Sequence, residues 1–197
     1  MARRGRPPAH RGVFSFEDLL APVPEAAVID TSFLIEALSP AQPLHAPAQA
    51  YLERLAAAGR TLLVFNRLLE LELAETAYLI ALKERHKKDF KRFRHDGRAR
   101  RRANRLLPGT LDAWAELLTV FDHATYDVGE VGHRVPELMT RYGLGSYDAV
   151  HAATALEAGV LAMITTDTGF ANLPQTQLTI YTNAGRVPDC RRFRQRT

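Results

Sequence analysis

Short apolar runs of strand length recur along the chain, and segments with helical spacing separate them. The runs are AAVID (26–30), TLLVF (61–65), VLAMIT (160–165) and LTIYT (178–182), with HATYDV (123–128) as a further candidate strand. Continuous apolar runs of this length fit strands buried on both faces. Between them TSFLIEAL (31–38), APAQAYLERLAAAG (46–59), NRLLELELAETAYLIAL (66–82), TLDAWAELL (110–118) and SYDAVHAATALEAG (146–159) read as amphipathic helices. Asn66 and Ser146 are placed to cap two of them, and Gly59 and Gly159 to stop two. Residues 129–144 carry a helical pattern that Pro136 disturbs. No repeat is visible at periods of 20–50 residues. The alternation predicts an α/β fold, a three-layer α/β/α sandwich around a mainly parallel sheet.

Composition narrows the setting. A chain of 197 residues with 46% hydrophobic content suits one domain with a real core. Cys190 is the single cysteine, so an intramolecular disulfide and Cys-based zinc sites are excluded. No run approaches the roughly 18 apolar residues of a membrane span. The opening MARRGRPPAHRG has basic residues without an apolar stretch behind them, unlike a secretory signal. These features lead us to expect a cytoplasmic protein with no membrane partner.

Charge is unevenly spread, and this changes the picture more than its net value of +4. Residues 83–105 hold twelve Lys/Arg against three acids, and both ends of the chain are basic. The segments 17–82 and 106–185 are acidic. The expected organisation is a basic N-terminal arm (1–25), a body (26–185) with a basic insertion at about 83–105, and a disordered basic tail (186–197). An acidic body alone would repel nucleic acid, whereas a concentrated basic segment can hold a polyanion beside acidic groups. Lys87, Lys88, Lys91, Arg92, Arg94, Arg100, Arg101 and Arg102 are the candidate phosphate contacts. Phe90 and Phe93 among them either stack on bases or pack a solvated helical hairpin against the body. The same positive surface could instead receive an acidic protein segment.

Four acids stand at informative places. Asp30 and Asp167 follow strand-like runs, and ligands of parallel sheets bind beyond the carboxyl ends of the strands. Asp148 lies in a helical first turn. Glu72 falls among Leu69, Leu71 and Leu73, about two turns into its helix, with Glu70 and Glu75 as rivals. Each has an ordinary reading: Asp30 as a helix cap, Asp148 as a dipole acid, Asp167 in an Asx turn, Glu72 as a solvated residue. All four nevertheless project to one end of one sheet. Crowded carboxylates repel unless a cation joins them, and an all-oxygen set suits Mg²⁺ or Mn²⁺. Such a centre is suited to phosphodiester hydrolysis, with one or two ions. No Ser/His or Cys/His pair is evident, and His151 shares the helical face of Asp148 in a structural or supporting role.

The stretches VIDTSFLIEAL, NRLLELELAE, YDAVHAATALEAG and MITTDTGF resemble the PIN-domain nucleases, and among them the VapC toxins of bacterial toxin–antitoxin pairs. The resemblance extends from Ala26 to Thr182. It implies a PIN-like fold and Mg²⁺- or Mn²⁺-dependent cleavage of RNA. It carries the catalytic and metal-binding roles onto Asp30, Glu72, Asp148 and Asp167, with Ser32 and Thr165 in support. For a VapC toxin it further implies a small antitoxin partner and a homodimer. The basic insertion and both basic ends depart from a compact VapC. A non-toxin PIN nuclease of RNA processing and a non-catalytic RNA-binding PIN module are the alternatives. A haloacid-dehalogenase-like phosphatase would need a second Asp where Ser32 stands.

Overall fold

Each apolar run buries alternate side chains on the two faces of one sheet. The computed structural model describes residues 12–195. Its strands are β1 (Val13–Ser15), β2 (Ala26–Ile29), β3 (Leu62–Asn66), β4 (His123–Tyr126), β5 (Ala162–Ile164) and β6 (Thr179–Thr182). They form a single sheet in the order β1-β6-β5-β2-β3-β4, with every neighbouring pair parallel. The helices are α1 (Thr31–Leu38), α2 (His45–Ala58), α3 (Leu68–His86), α4 (Phe90–Phe93), α5 (Gly97–Ala103), α6 (Leu107–Val120), α7 (Val128–Val131), α8 (Val135–Tyr142), α9 (Ser146–Glu157) and α10 (Val187–Phe193).

The period of two along the strands divides the core. Ala27, Ile29, Leu63, Phe65 and Ile164 meet Phe33 of α1, Tyr51 and Leu55 of α2, Leu69 and Leu73 of α3 and Trp114 of α6. Val28, Val64 and Met163 meet Val131 of α7, Leu138 of α8 and Ala149, Ala152 and Ala153 of α9. The expected three-layer α/β/α sandwich with a parallel sheet is therefore what the chain adopts.

Topology then fixes where a ligand can bind. From central β2 the chain moves outward through β3 to β4, then returns to β5 on the other side of β2 and continues to β6. The connections after β2 and β5 leave in opposite directions, which opens a crevice at the carboxyl ends of these two neighbours. Asp30 follows β2 directly, and Thr165 follows β5.

Two sequence expectations are corrected. Residues 13–25 do not belong to an arm: β1 pairs with β6 in register Val13↔Ile180, and Phe16 is in the core. The described part of the C-terminus is not a disordered tail. α10 buries Cys190, and Arg191 and Arg194 donate to the carbonyls of Val13 and Gly12 beside β1. Charge dominated both ends of the sequence, yet a few apolar positions decide their structure. Residues 1–11 and 196–197 of these two segments lie outside the described residues. The pattern over 129–144 is divided as Pro136 suggested: α7 ends at Val131, a 3-10 turn spans Gly132–Arg134, and Pro136 lies in the first turn of α8, where its missing N–H would have no intrahelical partner.

Candidate active site

Asp30 is almost fully buried at the N-cap of α1. Its Oδ2 accepts from Ser32 N (3.3 Å), Ser32 Oγ (2.5 Å) and Thr165 Oγ1 (2.7 Å). Ser32 Oγ in turn accepts from Thr166 N (3.0 Å), and Thr165 Oγ1 from Asp167 N (2.9 Å). Two neighbouring strand ends are thus stitched by hydroxyls around a single carboxylate oxygen. The capping role and a chemical role do not compete, because capping occupies Oδ2 and leaves Oδ1 without a hydrogen bond among the described residues.

Glu72 lies one turn inside α3, which starts where Asn66 Oδ1 accepts from Leu68 N (3.0 Å). Its Oε2 accepts from Thr31 Oγ1 (2.8 Å) and from Nε2 of His151 (2.6 Å). Oε1 has no such bond among the described residues. Glu70 is exposed, and Glu75 faces Arg94 and Arg100 at 3.8 and 3.6 Å. Glu72 is therefore the acid of α3 that joins Asp30. His151, wholly buried on α9, links the pair: its Nε2 also lies 3.9 Å from Asp30 Oδ1. Burial opposes a charge on this imidazole, but Glu72, Asp30 and Asp148 outweigh it and raise the pKa.

Asp148 sits in the first turn of α9, after Gly145, where an added Cβ would come within 3.0 Å of Asp148 Oδ2. Burial, with the charges of Asp167, Asp30 and Glu72, pushes its carboxyl up to about 6, against a smaller opposing pull from His151. Asp167 forms the expected Asx turn, its Oδ1 accepting from Gly169 N (2.7 Å). Asp148 therefore feels the other three acids and records their negative charge.

That charge is the test of fit for a cation. The donors are all oxygen, and among the described residues Oδ1 of Asp30 and Oε1 of Glu72 accept no hydrogen bond, which suits a hard divalent ion in kind. Among the described residues no three His, Cys, Asp or Glu are drawn close enough to hold an ion as they stand. Thr31 is a supporting residue that the sequence did not single out. Its signal lies in the two hydroxyl residues after Asp30, of which the family resemblance selects only Ser32.

The basic residues are placed elsewhere. From Glu72 to His86 is about 20 Å along α3 at 1.5 Å per residue. Beyond it the chain turns at Lys87, which adopts φ 47°, and α4 and α5 fold back on α3. Ala99 and Ala103 pack there with Tyr78, Ala81 and Leu82. Asp96 caps α5 by accepting from Arg98 N and Ala99 N. Phe93 stacks on His86 at 3.9 Å, and Phe90 lies beneath Lys83. Both rings are used in packing. Lys87, Lys88, Lys91, Arg92, Arg94, Arg100, Arg101 and Arg102 are all exposed on this hairpin.

The PIN domain family matches residues 27–175, and the chain belongs to that family. Among solved structures, VapBC2 from Rickettsia felis, bound to a DNA fragment from its promoter, shares the fold. It is 15% identical, with a TM-score of 0.50, and the match covers 80% of this chain and 98% of that one. No curated protein matches the chain.

Proposed function

We propose that the protein is a divalent-cation-dependent endoribonuclease that hydrolyses RNA phosphodiester bonds, acting as the toxin of a type II toxin–antitoxin pair. PIN domains are generally metal-dependent nucleases. The observation that carries the reading is the buried Asp30–His151–Glu72 contact, with Asp148 forced towards its protonated form beside it. Asp30, Glu72, Asp148 and Asp167 hold the cation, Mg²⁺ or Mn²⁺. When bound, it activates water and neutralises charge that develops on the phosphate. Ser32 and Thr165 fix the orientation of Asp30 through Oδ2 and leave Oδ1 for the cation. Thr31 and His151 do the same for Glu72. Fixing the ligands in advance removes a reorganisation cost at the moment of reaction.

The basic hairpin binds RNA phosphates, supplying the attraction that an acidic crevice cannot. The similar structure from Rickettsia felis is a VapBC complex, which supports a small antitoxin partner; a homodimer and a cytoplasmic setting belong to the same reading. Among the described residues no helix is long and apolar enough to cross a membrane. A second reading, a PIN nuclease of RNA processing, draws on one observation. The match leaves a fifth of this chain uncovered while covering nearly all of the similar one.

Cleavage of an RNA panel with Mg²⁺ or Mn²⁺ tests the activity. Wild type should cut, while EDTA or Asp30→Asn should lower the rate by at least about 10²-fold, the scale of losing one preorganised charged group. An Asp30→Asn protein that cuts at the wild-type rate would show the site to be misassigned. Growth arrest on expression, relieved by a co-expressed neighbouring small protein, separates toxin from processing enzyme.

A further inference from the structure

One flank of the basic hairpin borders a groove on α3, along the helix from Glu72. α5 lies on α3 through Ala99 and Ala103, four residues apart and so on one stripe. Side chains beside such a stripe project to opposite flanks. Arg102 borders Leu82, Glu84 and Arg85 on one of them. On the other, Arg100 borders a groove of about 370 Å³ with Leu71, Ala74, Glu75, Tyr78 and Asn104. Glu75 is three residues from Glu72 on α3, and such residues are surface neighbours on a helix. The groove therefore begins about one helical turn along α3 from Glu72.

Arg100 is held in place within it. Its Nη2 is 3.6 Å from Glu75 Oε2, and its guanidinium carbon lies 5.1 Å from the centre of the Tyr78 ring. Tyr78 is itself tied down, its hydroxyl donating to Arg94 O at 2.6 Å. One face of the guanidinium is thus covered by a ring and one edge is engaged by a carboxylate, yet the side chain remains 52% exposed. A planar cation fixed in this way offers its other face to a nucleobase, since bases of single-stranded RNA stack on arginine planes as well as on rings. Leu71, 68% exposed, adds apolar surface at the end nearer the acids. Asn104 supplies an amide that can both donate to and accept from a base edge. Glu75 already engages the guanidinium nitrogens, so an acidic peptide gains less here than a base that needs only the open face.

We propose that this groove is a nucleotide subsite, in which one unpaired base of the RNA strand beside the scissile phosphate stacks on Arg100 and is read by Asn104. This rests on the ribonuclease reading and adds to it the position at which the protein discriminates sequence. The volume is at the lower end for small-molecule sites, in keeping with one base rather than a duplex.

The test uses the full-length protein with Mn²⁺ and a pool of short single-stranded RNAs randomised around the cut, with products sequenced. Wild type should prefer one base at one position flanking the cleaved bond. Asn104→Ala and Arg100→Gln should each reduce that preference by about fivefold or more, the lower range for one base contact. Arg98→Gln, a charge-matched change on the far flank of α5, should leave it intact. Unchanged preference in both Asn104→Ala and Arg100→Gln would overturn the subsite, as would an equal loss in Arg98→Gln or a wild type without any flanking preference. If wild type cuts no RNA at all, the subsite and the ribonuclease reading fall together; if it cuts and only the preference test fails, the ribonuclease reading stands alone.

Discussion

The acid crevice and the basic hairpin sit on the same helix and are built in opposite ways. At the start of α3, Glu72 is held by Thr31 and by a wholly buried His151, and Asp30 beside it is nearly sealed from water. Beyond the end of α3, the hairpin rests on a few small side chains, and its cations face solvent. Charges of the first kind are screened little by salt and are sensitive to the loss of any single partner. Charges of the second kind are screened strongly and, apart from Arg100 in its groove, are interchangeable. What the contrast teaches is a division of labour: position matters at the crevice, and summed charge matters on the hairpin outside the Arg100 groove.

The sharpest way to break this contrast is to neutralise each region in turn. Asp30→Asn should remove turnover, as described above, without weakening RNA binding. Replacing Lys87, Lys88, Lys91 and Arg92 together by Gln should weaken RNA affinity by about tenfold or more at low salt. It should also flatten the dependence of affinity on salt, because fewer counterions are released. A salt slope unchanged in that variant would show that the hairpin does not touch RNA.

A smaller effect sharpens the electrostatic side. The Asp148 carboxyl has a folded-state pKa of about 6, above its ordinary value, because of burial and its acidic neighbours. A raised carboxyl pKa contributes stability that is complete below the unfolded value near 3.9 and is lost as pH rises through about 6. Asp148→Asn should therefore be more stable than wild type at pH 8 by on the order of 1–2 kcal/mol, allowing for solvent screening, with the gain vanishing by pH 4. Thermal unfolding without added cation at the two pH values checks this. An offset that does not change with pH would mean that the acids do not strain one another.

The central layer was legible in the sequence because burial on both faces forces continuous apolar runs. β2, β5 and β6 fall inside the segments those runs marked, and β3 passes the end of its run by one residue, Asn66. The ends were not legible: β1 is three residues long and follows a strongly basic stretch, so its Val13 and Phe16 contacts left no periodic signal. Within the site, strand-end position pointed to Asp30 and Asp167. The choice of Glu72 over Glu70 and Glu75 needs the side-chain partners, since adjacent turns of one helix look alike in sequence. The hairpin's charge was visible, but the inward use of Phe90 and Phe93 and the separate flanks of Arg100 and Arg102 depend on how α5 packs.

Titration calorimetry of the full-length protein with Mn²⁺ at pH 7.5 tests most directly whether the converging acids form a cation site. The account predicts saturable binding of one or two ions that Asp30→Asn abolishes or weakens by at least about tenfold, as loss of a ligand should. Saturable binding with the same affinity in Asp30→Asn, or no binding by the wild type, would contradict it.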